Sequence, residues 1–171
     1  TALVPYPMET GSLVHDEKYQ VIATGFPNEH QHEAKPIDFD PEGYMYVNVG
    51  APANACMEQM RTKGSPGMDP CPILDYAGGI WRFKDDMLNQ DQLADGYRYV
   101  TGTRNCVALR WNTLQNKLYA VMHGRDQLHQ FYPEMYDEQA SADLPGEEFL
   151  LMDEGADFGW PYCYHDPFKN L

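Results

Sequence analysis

Two stretches of this chain share one pattern of apolar and polar positions. The first runs Ile37-Asp38-Phe39-Asp40, turns at Pro41-Glu42-Gly43 and returns as Tyr44-Met45-Tyr46-Val47-Asn48-Val49-Gly50. The second runs Val107-Ala108-Leu109-Arg110-Trp111-Asn112, turns over Thr113 to Asn116 and returns as Lys117 to Gly124. Apolar and β-branched or aromatic residues at alternate positions mark half-buried strands, and Asp, Pro, Gly and Asn supply the turns between them. Each copy is predicted to be a hairpin.

Further strand candidates follow each hairpin: Gly79 to Phe83 and Tyr97 to Val100 after the first, Glu148 to Met152 after the second. Four strands per repeat is the blade of a propeller. The predicted fold class is therefore all-β, a β-propeller of four-stranded antiparallel blades, of which this chain supplies about two. The blade-like repeats lie near 35–101 and 106–166, within one partial domain spanning 1–171. A propeller closes with about 4–8 blades, so the remaining blades are expected from the same or another chain. Lys84 to Asp95 reads as an exposed polar connection, with a short helix or turn as the alternative. The insertions at Ala51 to Ala77 and Arg125 to Gly146 are longer than plain connectors, which marks them as functional or disordered.

Composition narrows the partners. Twenty-six acidic against 12 basic residues give a formal charge of −14, which repels phosphate backbones and excludes nucleic acid as a partner. No run approaches the ~20 apolar residues of a membrane span. Thr1 to Met8 lacks the basic and apolar regions of a leader, so any signal peptide is removed or lies upstream. Cys56, Cys71, Cys106 and Cys163 lack the close paired spacing of zinc sites and are read as disulfides. Cys56 and Cys71 bracket a loop rich in Gly, Pro and Met and form the first expected bridge, leaving Cys106 and Cys163 for the second. Disulfides imply an oxidising compartment, so the protein is expected to be periplasmic or secreted. Phosphate-binding glycine loops, a serine nucleophile elbow and a His-Glu-x-x-His helix are all missing from the sequence, which removes the main signatures of nucleotide, acyl-transfer and zinc-protease chemistry.

Short strings at the repeat ends carry a more specific signal. They are His32-Glu33-Ala34-Lys35-Pro36-Ile37, Thr101-Gly102-Thr103-Arg104-Asn105-Cys106, Met122-His123-Gly124-Arg125-Asp126 and Gly159-Trp160-Pro161-Tyr162-Cys163. In order and spacing they resemble the soluble sugar dehydrogenases that bind pyrroloquinoline quinone (PQQ), the glucose and sorbosone dehydrogenase-like propellers. The resemblance runs from about Gly25 to Asp166.

The resemblance implies PQQ and calcium as cofactors, a sugar or sugar-derived aldehyde as substrate, and a separate electron acceptor. It makes His32 the catalytic base, with His30 as the alternative because the two would share a face in an extended strand. A histidine with an ordinary pKa near 6.5 suits that task. It places Arg104 and Asn105 at the quinone, where a guanidinium stabilises developing negative charge; pairing with surface acid is the other reading of Arg104. It assigns Gly124 and Arg125 to calcium through their carbonyls, with the Arg125 side chain turned away from the cation. Glu148 corresponds to a ligand of a second, structural calcium, although Glu147, Asp153, Glu154 and Asp157 nearby also fit a solvated acidic face. Trp160, Pro161 and Tyr162 read as packing at a corner rather than a sugar platform. The rival function is a noncatalytic propeller used for binding or assembly, with the long acidic loops as its surfaces.

Overall fold

The computed structural model describes residues 1–14, 19–28 and 30–165. In chain order its strands are β1 (Ala23–Thr24), β2 (Ile37–Phe39), β3 (Tyr44–Val49), β4 (Gly79–Lys84), β5 (Gln90–Asp91), β6 (Tyr97–Thr101), β7 (Cys106–Asn112), β8 (Lys117–Met122) and β9 (Glu148–Met152). Two short helices, α1 (Leu128–Phe131) and α2 (Glu138–Asp143), and a 3-10 turn at Pro72–Asp75 complete it. The chain is mostly strand with little helix, and no sheet closes on itself.

The first predicted hairpin forms with Ile37 opposite Val47 and Phe39 opposite Met45. Its turn is held by Asp40, whose Oδ1 accepts from the backbone N–H groups of Glu42 at 2.8 Å and Tyr44 at 3.0 Å. Gly43 follows at φ +86°, a left-handed conformation that glycine adopts without steric cost. β4 and β6 extend the hairpin into a four-stranded antiparallel sheet of order β2-β3-β4-β6. The second hairpin pairs β7 with β8, and β9 adds to β8.

That second sheet has three strands among the described residues, not the expected four. After β9 the chain leaves it and returns to the first sheet. Ala156 O accepts from Thr101 N, Phe158 N donates to Thr101 O, and Trp160 N donates to Gly102 O at 2.8 Å. Gly102, at φ +73°, makes the approach feasible, because a Cβ there would collide with Asp157 and with the backbone of Phe158 and Gly159. The polar connection at Lys84 to Asp95 also departs from expectation: it contains β5, which pairs in parallel with β1.

The two larger sheets pack against each other through aromatics. Tyr46 stacks on Trp111 with ring centroids 5.2 Å apart and meets the edge of Tyr99 at 4.9 Å. Ile80, Leu118, Ala120 and Met152 fill the space around them. Two side chains pin the register across this interface: Asp38 accepts from Trp111 N at 2.5 Å, and Asn48 Nδ2 donates to Cys106 O at 3.0 Å. The other face of the first sheet carries Met45, Val47, Val49, Trp81 and Phe83, packed on Phe26, Ile73 and Trp160. β3 is consequently buried on both faces, and each fully buried large side chain contributes about 1.5–3 kcal/mol.

The insertion from Ala51 to Ala77 closes over that second core through the expected disulfide between Cys56 and Cys71. The second expected bridge does not form. Cys106 is buried at the start of β7 and Cys163 is exposed, and both are free thiols.

Candidate functional site

The ends of β3, β7 and β8 meet at one corner. Ala51, just past β3, donates its N–H to Arg104 O at 2.6 Å, and His123, just past β8, donates to Asn105 O at 2.9 Å. Arg104 and Asn105 immediately precede β7 and are thereby locked between the two sheets. Gly50 marks the crossing: a Cβ there would strike the Asn105 side-chain oxygen and lie 3.1 Å from His32 Cβ. The corner therefore brings His32, Arg104 and Asn105 together from positions more than 70 residues apart in the chain.

His32 Nδ1 lies 2.5 Å from Ala51 O. A carbonyl oxygen only accepts, so the ring proton sits on Nδ1 and the lone pair on Nε2. Burial lowers the His32 pKa below its usual 6.5, the Ala51 hydrogen bond opposes this, and the positive charges of Arg104 and Arg61 add to the lowering. The neutral ring is thus the resting form, with Nε2 as a base. His30 does not share its face. Both histidines have left-handed φ angles, +54° and +50°, which break the strand alternation. His30 projects into solvent, with its Nδ1 3.3 Å from Glu33.

Arg104 is almost fully buried, with 5% of its side chain exposed. Its Nε donates to Asn54 Oδ1 and its Nη2 to Asp126 Oδ1, each at 2.9 Å. The acid-pairing reading is therefore correct as far as one nitrogen, while Nη1 makes no hydrogen bond among the described residues. Asn105 is buried as well; its Oδ1 accepts from Asn48 at 3.3 Å, and its Nδ2 has no hydrogen bond among the described residues.

Arg104, Gly124, Arg125 and Glu148 line a cavity of about 340 Å³, whereas His32 and Asn105 do not reach it. Arg104 belongs to both groups. Gly124 packs so closely on the Pro145–Gly146 backbone that a Cβ would lie 2.7 Å from Gly146 O. The Arg125 guanidinium stacks 3.2 Å from the centre of the Tyr164 ring, so a cation–π contact holds it. Neither the Gly124 nor the Arg125 carbonyl accepts a hydrogen bond among the described residues.

Glu148 opens β9 opposite Met122. No group of three or more His, Cys, Asp or Glu converges among the described residues. The neighbouring acids are engaged elsewhere: Glu147 with His123 at 2.8 Å, Asp153 with Lys117 at 2.5 Å and Glu154 with Arg82 at 3.3 Å. Trp160 is buried and donates to the carbonyls of Ala53 and Asn54, as a packing residue would. Tyr162 is 55% exposed and lines the cavity, so it is less embedded than its neighbour.

Sequence reasoning overlooked Asn54, Arg61 and Asp126. Asp126 ends the string that drew attention to Gly124 and Arg125 but was given no role in it. Asn54 and Arg61 carry no local signal, since only the folding of a long insertion brings them to Arg104.

This arrangement is a β-sheet domain with a half-buried histidine, a buried arginine and unused carbonyls at its strand ends. No protein-family model and no curated protein sequence matches the chain. Solved structures do. A carbohydrate-active enzyme of family AA12 from Trichoderma reesei, in an iodide structure, superposes with a TM-score of 0.68 at 17% identity, over 94% of this chain and 38% of that one. A calcium structure of the same family and organism gives 0.65 at 15% identity, over 94% and 39%. The holo PQQ domain of pyranose dehydrogenase from Coprinopsis cinerea gives 0.64 at 12% identity, over 91% and 37%. At such identities the likeness is one of fold, and the chain spans about two fifths of each neighbour's length.

Proposed function

We propose that this chain is part of a quinoprotein oxidoreductase that oxidises a sugar or sugar-derived aldehyde with PQQ as hydride acceptor and calcium as electrostatic activator. The observation that carries this reading is the convergence of His32, Arg104 and Asn105 on one corner, with Gly124 and Arg125 lining the adjoining cavity. The fold shared with a PQQ domain and with family AA12 enzymes supports it.

The residues present fit both groups. Arg104 and Asn105 are buried residues, and neither Arg104 Nη1 nor Asn105 Nδ2 makes a hydrogen bond among the described residues, which leaves two donors for a polyanionic quinone. The two unused carbonyls suit calcium, which takes backbone oxygen. PQQ, when bound, supplies a two-electron sink. His32 Nε2 takes the substrate hydroxyl proton while Nδ1 stays anchored on Ala51 O. Arg104 faces developing negative charge with a fixed positive one. The electrons then pass to a separate acceptor.

The two larger sheets are read as two blades of a longer propeller. Phe149 is 73% exposed, Val107 42% and Leu151 40%, all on the outward face of the β7-β8-β9 sheet, and a further blade stacked there would bury them. The Cys56–Cys71 disulfide supports an oxidising compartment, periplasmic or extracellular. No helix among the described residues is long and apolar enough to cross a membrane.

The test is a pair of substitutions in the complete protein loaded with PQQ and calcium, with dye reduction by an aldose as the assay. His32→Ala is expected to lower turnover by about 10²–10⁴-fold and leave PQQ affinity intact. Arg104→Ala is expected to weaken PQQ binding. Full turnover in His32→Ala would remove that residue as the base.

A further inference from the structure

Arg104 does not sit at the cavity by itself. Asn54, from the disulfide-closed insertion, accepts from Arg104 Nε at 2.9 Å and from Asp126 N at 3.3 Å through one oxygen, and its Nδ2 donates to Asp126 O at 2.5 Å. Asp126 closes the ring by accepting from Arg104 Nη2 at 2.9 Å. On the far side of that carboxylate stands a second cation. Arg61 Nη1 lies 3.7 Å from Asp126 Oδ1 and donates to Gln127 Oε1 at 2.6 Å, while its Nε donates to Pro52 O at 3.3 Å. Two guanidinium groups thus share one carboxylate, and two of the five N–H bonds of Arg104, one on Nε and one on Nη2, are engaged in this ring.

We propose that Asn54 and Asp126 are positioning residues that fix the Arg104 guanidinium with Nη1 free toward the ligand, and that Arg61 holds Asp126 in place from the disulfide loop. A free arginine side chain samples many rotamers, and ordering it on binding costs conformational entropy. The ring orders Arg104 before ligand arrives. A lone carboxylate would neutralise Arg104 and weaken its hold on an anion; sharing that carboxylate with Arg61 leaves the corner with one positive charge in excess, in a chain whose formal charge is −14. Asp126 therefore orients Arg104 without cancelling it.

The inference rests on the quinone-binding reading of Arg104, and a double-mutant cycle on the complete protein separates the two. PQQ affinity of the apoprotein with calcium chloride present is measured by fluorescence titration for wild type, Arg104→Ala, Asn54→Ala, Asp126→Ala and the two doubles with Arg104→Ala. Each single substitution in the ring is expected to weaken PQQ binding by about 5–50-fold, and neither to weaken it further once Arg104 is gone, because residues acting through one partner are non-additive. A second readout needs no cofactor: the Arg104 Nε–H in the nitrogen-15 spectrum of the apoprotein is expected to exchange slowly in wild type and fast in Asn54→Ala. Additive losses in the doubles, or unchanged affinity in both ring singles while Arg104→Ala weakens binding, would overturn the positioning role alone. Unchanged affinity in Arg104→Ala would overturn the quinone-binding reading and this inference with it.

Discussion

On the proposed reading, His32 shows how a loop histidine becomes a base. The ring is anchored by Ala51 O on Nδ1, sits half-buried, and faces two arginines, so its proton affinity falls below that of an ordinary histidine. The sign follows directly. The active form is neutral, so activity holds above pH 6.5 and is lost as pH falls through a folded-state pKa that lies below 6.5. Stability follows the same direction: the unfolded chain takes up the proton first, so the contribution of neutral His32 is complete above 6.5 and shrinks as pH falls from there toward the folded-state value. A pH profile of kcat/KM in the complete protein is expected to show an acid limb centred below 6.5, and an acid limb centred above 6.5 would contradict this assignment. The thiols differ as sharply as the histidines. Burial pushes the Cys106 pKa up to about 12, while Cys163 is exposed. Mass mapping after brief alkylation of the native protein is expected to find Cys163 labelled, Cys106 labelled only after unfolding, and Cys56 and Cys71 unlabelled until reduced.

At the scale of elements, the insertion closed by the disulfide matters because it delivers Arg61 from within the loop and Asn54 from just before it. Closing a 15-residue loop removes about 3 kcal/mol of unfolded-state freedom, so Cys56→Ser with Cys71→Ser is expected to lower unfolding free energy by about 2–4 kcal/mol in chemical denaturation; a change under 0.5 kcal/mol would show the loop to be held without it. The hairpins were legible because period-two alternation and turn chemistry are local, and the β2–β3 and β7–β8 pairs follow them closely. The parallel pairing of β1 with β5 was not, since two residues per strand leave no period to read. Nor was the return of residues 156–160 to the first sheet, which depends on the space left at Gly102. The six candidate site residues were named from a family resemblance; the structure places three at one corner and four on one cavity, with Arg104 in both, and their roles rest on the proposal. Asn54, Arg61 and Asp126 were given no role, because their contact with Arg104 is a product of tertiary folding alone.

For the whole molecule, two facts point beyond these residues. The outer face of the second sheet leaves Phe149, Leu151 and Val107 in water, and the cavity beside Arg104 is lined by β8, β9 and loops from both sheets. On the proposed reading, further blades would cover the exposed face and complete the pocket. The chain's acidity directs anions elsewhere, so a bound anionic cofactor would have to rely on the local excess of Arg104 and Arg61 and on a cation at the carbonyls of Gly124 and Arg125. The central claim is therefore measured most directly by isothermal titration of PQQ into the complete apoprotein, with and without calcium. The account predicts one PQQ bound per protein, with binding at least tenfold weaker when calcium is chelated. No detectable binding of PQQ with calcium supplied would contradict it.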